Sequence, residues 1–321
     1  MHSFKELVAD FANKFSKNHF PEAPGSLYEP CSYFLSIGGK RIRPILCLMG
    51  NELFDNIHPE AYEVATAIEL FHNFTLMHDD IMDNASLRRG IPTVHVKYNA
   101  STALLAGDVM LIRAYEYINK VGANHLSKIF QLFNKTAKEV CEGQQLDMDF
   151  EKQQHVSLND YIQMITLKTS VLLAASLEMG AVLGGAGEGN CEHLYQFGKN
   201  LGIAFQIQDD YLDAFGDPEK FGKEVGGDIK QNKKTFLLLH ALEVANPDQK
   251  QQLEKLMQEN PANKVEKVLE IYKSCKVNEW ANTLKEQYLQ TAINHLEAIA
   301  VVAARKAPLK ELADYLIQRE V

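Results

Sequence analysis

Long helical segments are the feature that most limits the fold of this 321-residue chain. Turn signals, as at residues 184–190 and 216–227, separate segments of about 12 to 28 residues, which are too long for ordinary strands. Within these segments apolar residues recur at spacings of three and four, as at Tyr62, Ala65 and Ile68. No run of alternating β-branched residues is flanked by hairpin turns. The pattern predicts a single all-α domain over residues 1–321, with about ten to thirteen helices.

The composition is that of a globular protein, with 46% hydrophobic and 23% charged residues. The net charge is −9 and the basic residues are spread along the chain, which argues against a nucleic-acid partner. The most apolar stretch, residues 171–187, contains Glu178 and is shorter than the ~20 apolar residues of a membrane-spanning helix. Five scattered cysteines without a Cys-x-x-Cys pair are typical of a reducing compartment. We therefore expect a soluble cytoplasmic protein without an integral membrane segment.

The sequence Asp-Asp-x-x-Asp occurs twice, each time toward the end of a long apolar helix. Residues i and i+4 share a helix face, so Asp79 lies beside Asp83, and Asp209 lies beside Asp213. One such motif could be a solvated helix end, but chance would produce two in only about one chain in a thousand. Neighbouring carboxylates repel each other unless a cation lies between them. The six candidate metal ligands are Asp79, Asp80, Asp83, Asp209, Asp210 and Asp213.

Carboxylates without His or Cys partners are ligands for a hard cation, and they predict Mg²⁺, with Mn²⁺ as a substitute. Protein-bound Mg²⁺ keeps several waters and completes its coordination with substrate phosphates. Two facing acidic clusters would therefore hold a diphosphate through bridging metal ions. A di-iron bundle needs two Glu-x-x-His pairs, and this chain has one, from Glu69 to His72.

Basic side chains stand close to both motifs, as binding of a diphosphate requires. Residues 38–44 place three of them in a Gly-containing turn that leads into a helix, whose N-terminus favours an anion. Arg88 and Arg89 follow the first motif and can each bind a phosphate through two hydrogen bonds. Each group by itself is more often a solvated turn, but their repeated proximity to the acidic motifs favours binding. The basic residues are Lys40, Arg41, Arg43, Arg88, Arg89, Lys223, Lys233 and Lys234.

From about residue 25 to its C-terminus, the chain resembles the trans-isoprenyl diphosphate synthases, also called polyprenyl synthetases. Five stretches match the family's motifs in order: residues 38–44, 72–92, 143–147, 168–169 and 205–213. The first is similar to Gly-Gly-Lys-Arg-x-Arg-Pro, and the second and fifth are similar to the two aspartate-rich regions. The resemblance implies a bundle of helices around a central cavity, of the isoprenoid synthase type, and the homodimer usual for the family.

The resemblance also assigns roles to the matched positions. The diphosphate of isopentenyl diphosphate would be bound by Lys40, Arg43, His72 and Arg89. The allylic diphosphate would be bound by Arg88, Lys168, Lys223 and Lys233. Three Mg²⁺ ions would be bridged by Asp79, Asp83 and Asp209, with Asp80, Asp210 and Asp213 as ligands or supporting residues. The oxygen dipoles near the developing allylic cation would come from Thr169 and Gln206.

One position departs from the family pattern. Asn232 stands where the family often has Gly, which leaves Lys233 and Lys234 as alternatives for the last of these lysines. The implied reaction is a Mg-dependent head-to-tail (1′-4) condensation of isopentenyl diphosphate with an allylic diphosphate. Ionisation of the allylic C–O bond, attack by the double bond and loss of a proton would need electrostatic stabilisation rather than a nucleophilic side chain.

Phenylalanines on the first acidic helix bear on the length of the product. Phe74 and Phe71 precede Asp79 by five and eight residues, which is about 7 and 12 Å along the helix axis. A growing apolar tail would meet their rings, although the spacing alone fits ordinary core residues equally well. By resemblance, Phe74 followed by Thr75 favours a short-chain synthase that makes geranylgeranyl diphosphate, with farnesyl diphosphate next.

Two other functions remain open at this point. A class I terpene cyclase shares the helical fold and the first motif, but it usually carries a different second motif and lacks counterparts of Lys40, Arg43 and Arg89. A non-catalytic subunit of a heteromeric prenyl synthase typically loses one acidic motif, and here both are intact.

Overall fold

The computed structural model describes residues 1–16, 18–153, 155–217 and 225–317. These residues are predominantly helical, with two strands of two residues each, which confirms the predicted all-α class. The described part of the chain contains thirteen helices longer than four residues when Leu158–Leu183 is counted as one helix. This number lies within the predicted range of ten to thirteen.

The elements follow one another along the chain with short connections. The first part contains α1 (Phe4–Phe15), α2 (Gly25–Ser36), α3 (Ile42–Glu52), α4 (Pro59–Met82), β1 (Leu87–Arg88), β2 (Ile91–Pro92), α5 (Val94–Lys97), α6 (Ala100–Ile118) and α7 (Ala123–Lys152). The second part contains α8 (Leu158–Ile165), a π-helical turn (Thr166–Ser170), α9 (Val171–Leu183), α10 (Glu188–Phe215), α11 (Gly227–Lys230), α12 (Phe236–Val244), α13 (Pro247–Glu259), α14 (Lys264–Ser274), α15 (Val277–Ala298) and α16 (Ala303–Ile317).

Helix starts follow the capping residues in the sequence. Ser3 and Glu6 form a reciprocal capping box at the start of α1. Helix α4 begins at Pro59, and the side chain of His58 accepts a hydrogen bond from the backbone N–H of Glu60. The start of α4 is thus set locally, and its 24 residues end at the first acidic motif.

The chain divides into two compact units, each made of two stretches. The first unit comprises residues 1–133 and 176–191, and the second comprises residues 134–175 and 192–321. The division points fall within helices α7, α9 and α10 rather than in linkers. The single domain expected from the sequence stays a prediction.

In the first unit, α3 packs backbone to backbone against α9. A Cβ atom on Gly50 would lie 2.3 Å from the carbonyl oxygen of Leu177, and one on Gly180 would lie 1.9 Å from that of Cys47. Neither position has room for a side chain, so glycine is required for this approach. The contact completes the burial of residues 44–51 on α3.

The second unit has its own apolar core. Helix α12 is buried along most of its length, and Phe236 packs against Tyr161 of α8 at a ring-centroid distance of 6.2 Å. Tyr272 of α14 and Leu253 of α13 belong to the same cluster. This core supports the C-terminal half of α10, where the second acidic motif lies.

One continuous helix within the described ranges is long and apolar enough to cross a membrane, judged by length and composition alone. It spans the 26 residues from Leu158 to Leu183, and 78% of its most apolar window is buried inside the protein. It is longer than the stretch considered in the sequence, because a π-helical turn joins α8 to α9 without a break. Such burial is typical of the core helix of a folded protein.

Candidate active site

The first acidic motif lies at the C-terminal end of α4. Asp79 and Asp80 are in its last turn, and Asp83 is the C-cap residue, whose backbone N–H donates to the carbonyl of Asp79 at 2.8 Å. The carboxyl end of a helix carries the negative end of its dipole, which disfavours carboxylates and favours a cation. Three aspartates at this position are therefore poorly explained as helix-stabilising residues.

The middle aspartate of this motif is bound within the protein. Asp80 is 2% exposed, and Arg88 donates to both of its carboxylate oxygens, with Nη2 at 2.8 Å from Oδ1 and Nε at 2.9 Å from Oδ2. Asp79 is half-buried and Asp83 is exposed. Arg88 is thus held in place by Asp80, while the outer two carboxylates lie nearer the solvent.

A tight hairpin turn carries the second arginine. Arg89 and Gly90 connect β1 to β2 and have φ angles of 53° and 76°, as a two-residue hairpin turn of this kind requires. The guanidinium of Arg89 donates to the carbonyl of Gly38, and a Cβ on Gly39 would lie 3.1 Å from its nitrogens. The structure therefore joins two basic stretches that are 51 residues apart. Burial and the nearby arginines lower the pKa of Arg89.

His72 and Arg43 form a second polar contact in this unit. Nη1 of Arg43 lies 3.1 Å from Nε2 of His72. Burial, followed by the charge of Arg43, holds the pKa of His72 well below its usual 6.5, so the ring is neutral and accepts the hydrogen bond. Burial also lowers the pKa of Arg43 to about 10. Among the described residues, Nε of Arg43 has no hydrogen-bond partner although it is buried, which leaves a donor for an anion.

Two further residues of the first basic stretch differ in their surroundings. Arg41 forms an ion pair with Glu69, which is 3% exposed and also accepts a hydrogen bond from Asn73 at 2.8 Å. Arg41 therefore ties the start of α3 to α4 through this ion pair. Lys40 is exposed.

The second acidic motif repeats the pattern of the first, at the C-terminal end of α10. Asp210 is buried, and it accepts hydrogen bonds from the hydroxyl of Tyr161 and from Nε2 of Gln206, the latter at 2.9 Å. Burial, followed by the charge of Asp228, raises the pKa of Asp210 to about 8. Asp209 and Asp213, like Asp79, are half-buried. In both motifs the middle carboxylate is held by the protein and the outer ones are more accessible.

The segment after α10 folds back onto the motif. The backbone N–H of Asp228 donates to Oδ2 of Asp213 at 3.0 Å, just after Gly226, which has a φ of 81°. Nζ of Lys233 lies 3.3 Å from Oδ1 of Asp228. Lys234 instead donates to the carbonyl of Phe150 at 2.6 Å, at the end of α7. Lys233 thus pairs with Asp228, the residue whose backbone contacts Asp213, whereas Lys234 contacts the end of α7.

Lys223, the remaining lysine assigned by resemblance, lies outside the described residues.

Lys168 and Thr169 lie in the π-helical turn between α8 and α9. Such turns are rare and are often found at functional sites. Nζ of Lys168 lies 2.5 Å from Oδ2 of Asp147 on α7. A Cβ on Gly143 would lie 2.2 Å from the backbone nitrogen of Lys168, so this glycine lets α7 approach the turn. The stretches 143–147 and 168–169, matched separately in the sequence, are brought together here.

Phe74 belongs to an aromatic cluster in the first unit. Its ring lies 5.7 Å from that of Phe71 and 4.7 Å from that of His78, measured between centroids. Phe71 is 1% exposed and also contacts Phe133 at 5.4 Å, whereas Phe74 is half-buried. The hydroxyl of Thr75 donates to the carbonyl of His72 at 2.8 Å. Phe74 is thus the more accessible ring of the pair, and the buried ring of Phe71 packs against it.

Sequence reasoning missed three contributors to these arrangements. Tyr161 and Asp228 hydrogen-bond to aspartates of the second motif that lie 49 and 15 residues from them along the chain. Phe133 packs against Phe71 of the phenylalanine pair. Only Asp228 had a local signal, because it follows the consecutive glycines Gly226 and Gly227. No periodicity links Tyr161 or Phe133 to the residues they contact.

The donor set fits a hard metal ion. Among residues with a described position, no three His, Cys, Asp or Glu side chains converge into a complete metal cage. The outer aspartates of each motif carry carboxylate oxygens, the ligand type that a hard cation prefers. Mg²⁺ is commonly bound by one or two carboxylates together with water and substrate phosphates, and the arrangement matches that preference.

Comparison with known proteins finds similar chains over the full length. The sequence profile of the polyprenyl synthetase family matches residues 24–275. The chain is 38% identical to geranylgeranyl diphosphate synthase of Saccharolobus solfataricus, over 98% of this chain and 97% of that protein. A solved structure of geranylgeranyl pyrophosphate synthase gives a TM-score of 0.94 at 42% identity, and covers 100% of both chains. Geranylgeranyl pyrophosphate synthase from Corynebacterium glutamicum, solved with isoprenyl diphosphate and magnesium, gives a TM-score of 0.85 at 26% identity, over 98% of both chains.

The neutral His72 predicts a pH dependence of stability. Its folded-state pKa is below 6.5, so the unfolded chain binds a proton at this residue more readily, and stability falls as the pH drops below about 6.5. The His72→Gln variant lacks this contribution of His72 to the loss of stability at low pH. Urea unfolding at pH 7.0 and 5.5 should therefore show a smaller acid loss in the variant, by up to about 1 kcal/mol.

His155→Gln is the matched control, because His155 is exposed and should leave the acid loss unchanged. An acid loss in His72→Gln equal to that of the wild type would mean that His72 is protonated in the folded protein.

Proposed function

The chain belongs to the polyprenyl synthetase family, and we propose that it joins isopentenyl diphosphate head to tail to an allylic diphosphate, making a short-chain all-trans prenyl diphosphate. The observation that carries the proposal is the shared design of the two acidic motifs. Each ends a long helix, and each has its middle carboxylate bound by the protein and its outer carboxylates more accessible. A purely structural helical protein gains nothing from this arrangement.

The outer carboxylates are the metal ligands of the proposal. Asp79, Asp83 and Asp209 would hold Mg²⁺, with Asp213 as a further ligand, and Mn²⁺ could substitute. Three bound ions would neutralise the charge that develops on the leaving diphosphate. Asp80 and Asp210 support the site: Asp80 orients Arg88, and Asp210 ties α10 to Tyr161.

Two sets of basic residues bind the two diphosphates. Isopentenyl diphosphate is bound by Lys40, Arg43, His72 and Arg89. The assignment is supported by Nε of Arg43, which is buried and has no hydrogen-bond partner in the described part of the chain. The allylic diphosphate is bound by Arg88, Lys168, Lys223 and Lys233. Lys168 and Lys233 are both paired with aspartates, at 2.5 and 3.3 Å, so their ammonium groups are already oriented before substrate arrives.

The protein acts on the reaction by binding, orientation and exclusion of water. Breakage of the allylic C–O bond leaves an allylic cation and a diphosphate. Gln206 is held through its amide nitrogen by Asp210, so its oxygen dipole is fixed, and with Thr169 it stabilises the cation. The double bond of isopentenyl diphosphate then forms the new C–C bond, and the released proton goes to the diphosphate.

The proposal is tested by a product assay on the purified chain. Radiolabelled isopentenyl diphosphate is incubated with dimethylallyl diphosphate and Mg²⁺, with an EDTA control, and the dephosphorylated alcohols are separated by length. We expect Mg²⁺-dependent linear product. Asp79→Ala should lower turnover by at least about 1,000-fold, because a carboxylate that holds the metal is lost.

Asp314→Ala is the control, because it removes an exposed aspartate from α16 and should keep normal activity. Near-normal turnover in Asp79→Ala would overturn the metal assignment. No incorporation by the well-folded wild type would favour a non-catalytic subunit, and cyclic products would favour a terpene cyclase.

We assign geranylgeranyl diphosphate as the main product, with farnesyl diphosphate next. The half-buried ring of Phe74, backed by Phe71 and Phe133, limits the space for the growing tail. Phe74→Ala removes this ring and should shift the product to longer alcohols in the same assay. Phe74→Tyr keeps the ring and should keep the product length, whereas an unchanged product in Phe74→Ala would place the limit at another residue.

We further propose a homodimer through α6. Its surface carries Leu104, Leu105 and Ile112, which are 52%, 54% and 59% exposed, and Phe130 of α7 is 43% exposed. Exposed apolar patches of this kind mark interaction sites. Ile112→Glu should reduce the mass measured by light scattering from dimer to monomer. Val244→Glu, at a 49% exposed position on α12, should leave a dimer, and a monomeric wild type would contradict the proposal.

A further inference from the structure

A buried lysine in the second unit has amide partners in place of an acidic one. Lys264 is 2% exposed and is the first residue of α14. Its ammonium donates to Oδ1 of Asn232 and to Oδ1 of Asn260, the latter at 3.2 Å, and it forms no ion pair with a residue whose position is described. Burial and the positive end of the helix dipole both disfavour a lysine at this position. Stability alone therefore does not explain Lys264.

Both amide partners have left-handed backbone conformations. The φ angle is 60° at Asn232 and 48° at Asn260, which is the C-cap residue of α13. Asparagine is one of the few residues other than glycine that adopt this conformation readily. Glycine at position 232 would allow the same turn but would remove the acceptor for Lys264. Lys264 thus joins the turn that precedes Lys233 to the turn that ends α13.

A second contact holds the other end of the segment 226–232 against α14. Gly226 has a φ of 81°, and a Cβ on it would lie 2.5 Å from Cγ1 of Val265. The side chain of Val265 therefore packs directly against the backbone at Gly226. The first two residues of α14 thus contact both ends of the segment, Val265 at Gly226 and Lys264 at Asn232.

The same segment touches the second acidic motif and leads into Lys233. The backbone N–H groups of Gly226 and Asp228 donate to the carbonyl and to Oδ2 of Asp213, at 2.6 and 3.0 Å. The carbonyl of Asp228 accepts from the backbone N–H of Lys233 at 3.0 Å, and its carboxylate lies 3.3 Å from Nζ of Lys233. Lys233 is therefore held by Asp228 on one side and, through its neighbour Asn232, by α14 on the other.

We propose that Lys264 and Asn232 are positioning residues that direct the ammonium of Lys233 toward the allylic diphosphate. The inference rests on the proposed function, in which Lys233 binds that diphosphate. Lys264 is buried and acts without touching the substrate. Its hydrogen bond fixes the backbone at Asn232, directly before Lys233, so fewer orientations of the Lys233 side chain have to be excluded when the substrate binds.

The test compares the steady-state kinetics and the melting temperature of the purified full-length wild type with those of Lys264→Met, which keeps an unbranched side chain and removes the ammonium. We expect the KM for dimethylallyl diphosphate to rise at least about fivefold, and the KM for isopentenyl diphosphate to change less than about twofold, because only the orientation of Lys233 is lost. The melting temperature should stay the same or rise, because a buried charge is removed. A purely structural lysine predicts the reverse, a lower melting temperature with both KM values unchanged.

Asn232→Gly is the second variant. It keeps the left-handed turn at no steric cost and removes an exposed side chain, so the fold is not at risk. It should raise the KM for dimethylallyl diphosphate as Lys264→Met does. In a Lys233→Ala background Lys264→Met should have no further effect on this KM, because the side chain that it orients is absent. Additive effects of the two substitutions would overturn the proposal.

Lys273→Met is the matched control, because it removes an exposed lysine from the last turn of the same helix and should leave both KM values unchanged. An unchanged KM for dimethylallyl diphosphate in Lys264→Met and Asn232→Gly would overturn the positioning role while the wild type stays active. An equal rise in the KM of both substrates would also overturn it, because the effect would not be confined to Lys233. A folded wild type that transfers no prenyl group would instead contradict the proposed function itself, and the positioning role with it.

Discussion

Repulsion between carboxylates at the negative ends of two helix dipoles is the constraint on which the site depends. Helices α4 and α10 each end with three aspartates, at the terminus where negative charge is least favourable. A folded chain accepts this arrangement only if cations compensate it. The arginines around α4 and the lysines that follow α10 supply part of this charge. In the proposed reaction Mg²⁺ and the diphosphate complete the balance.

Within each motif the middle aspartate has different surroundings from the outer two, and this difference reduces the repulsion. Arg88 binds both oxygens of Asp80, and Tyr161 with Gln206 binds Asp210, so each middle carboxylate has buried partners. Each middle residue ties its motif to the surrounding protein, and the outer residues, which are more accessible, are the metal ligands in the proposed function. The same reasoning applies to Lys168 and Lys233, which are oriented by aspartates before a substrate binds.

Much of the fold and about half of the site follow from local sequence patterns. The apolar spacing of Tyr62, Ala65 and Ile68 and the repeated Asp-Asp-x-x-Asp predict long helices with acidic motifs toward their ends, and the structure has both. Local patterns fail where partners are distant in sequence. Arg41 looks like a phosphate ligand within its basic stretch, yet it pairs with Glu69, 28 residues away. Tyr161 looks like a core residue of an amphipathic helix, yet its hydroxyl binds a motif 49 residues away.

The sequence by itself determined the helical class, the acidic ends of α4 and α10, and the chemistry of their oxygen ligands. These depend on residue type and on spacings of three and four, which act within one or two turns of a helix. Only the tertiary structure decided which carboxylate in each motif is bound internally, and that Lys233 pairs with Asp228 while Lys234 contacts the end of α7. Those outcomes depend on which helices pack together, and packing brings together residues whose separation along the chain carries no local signal.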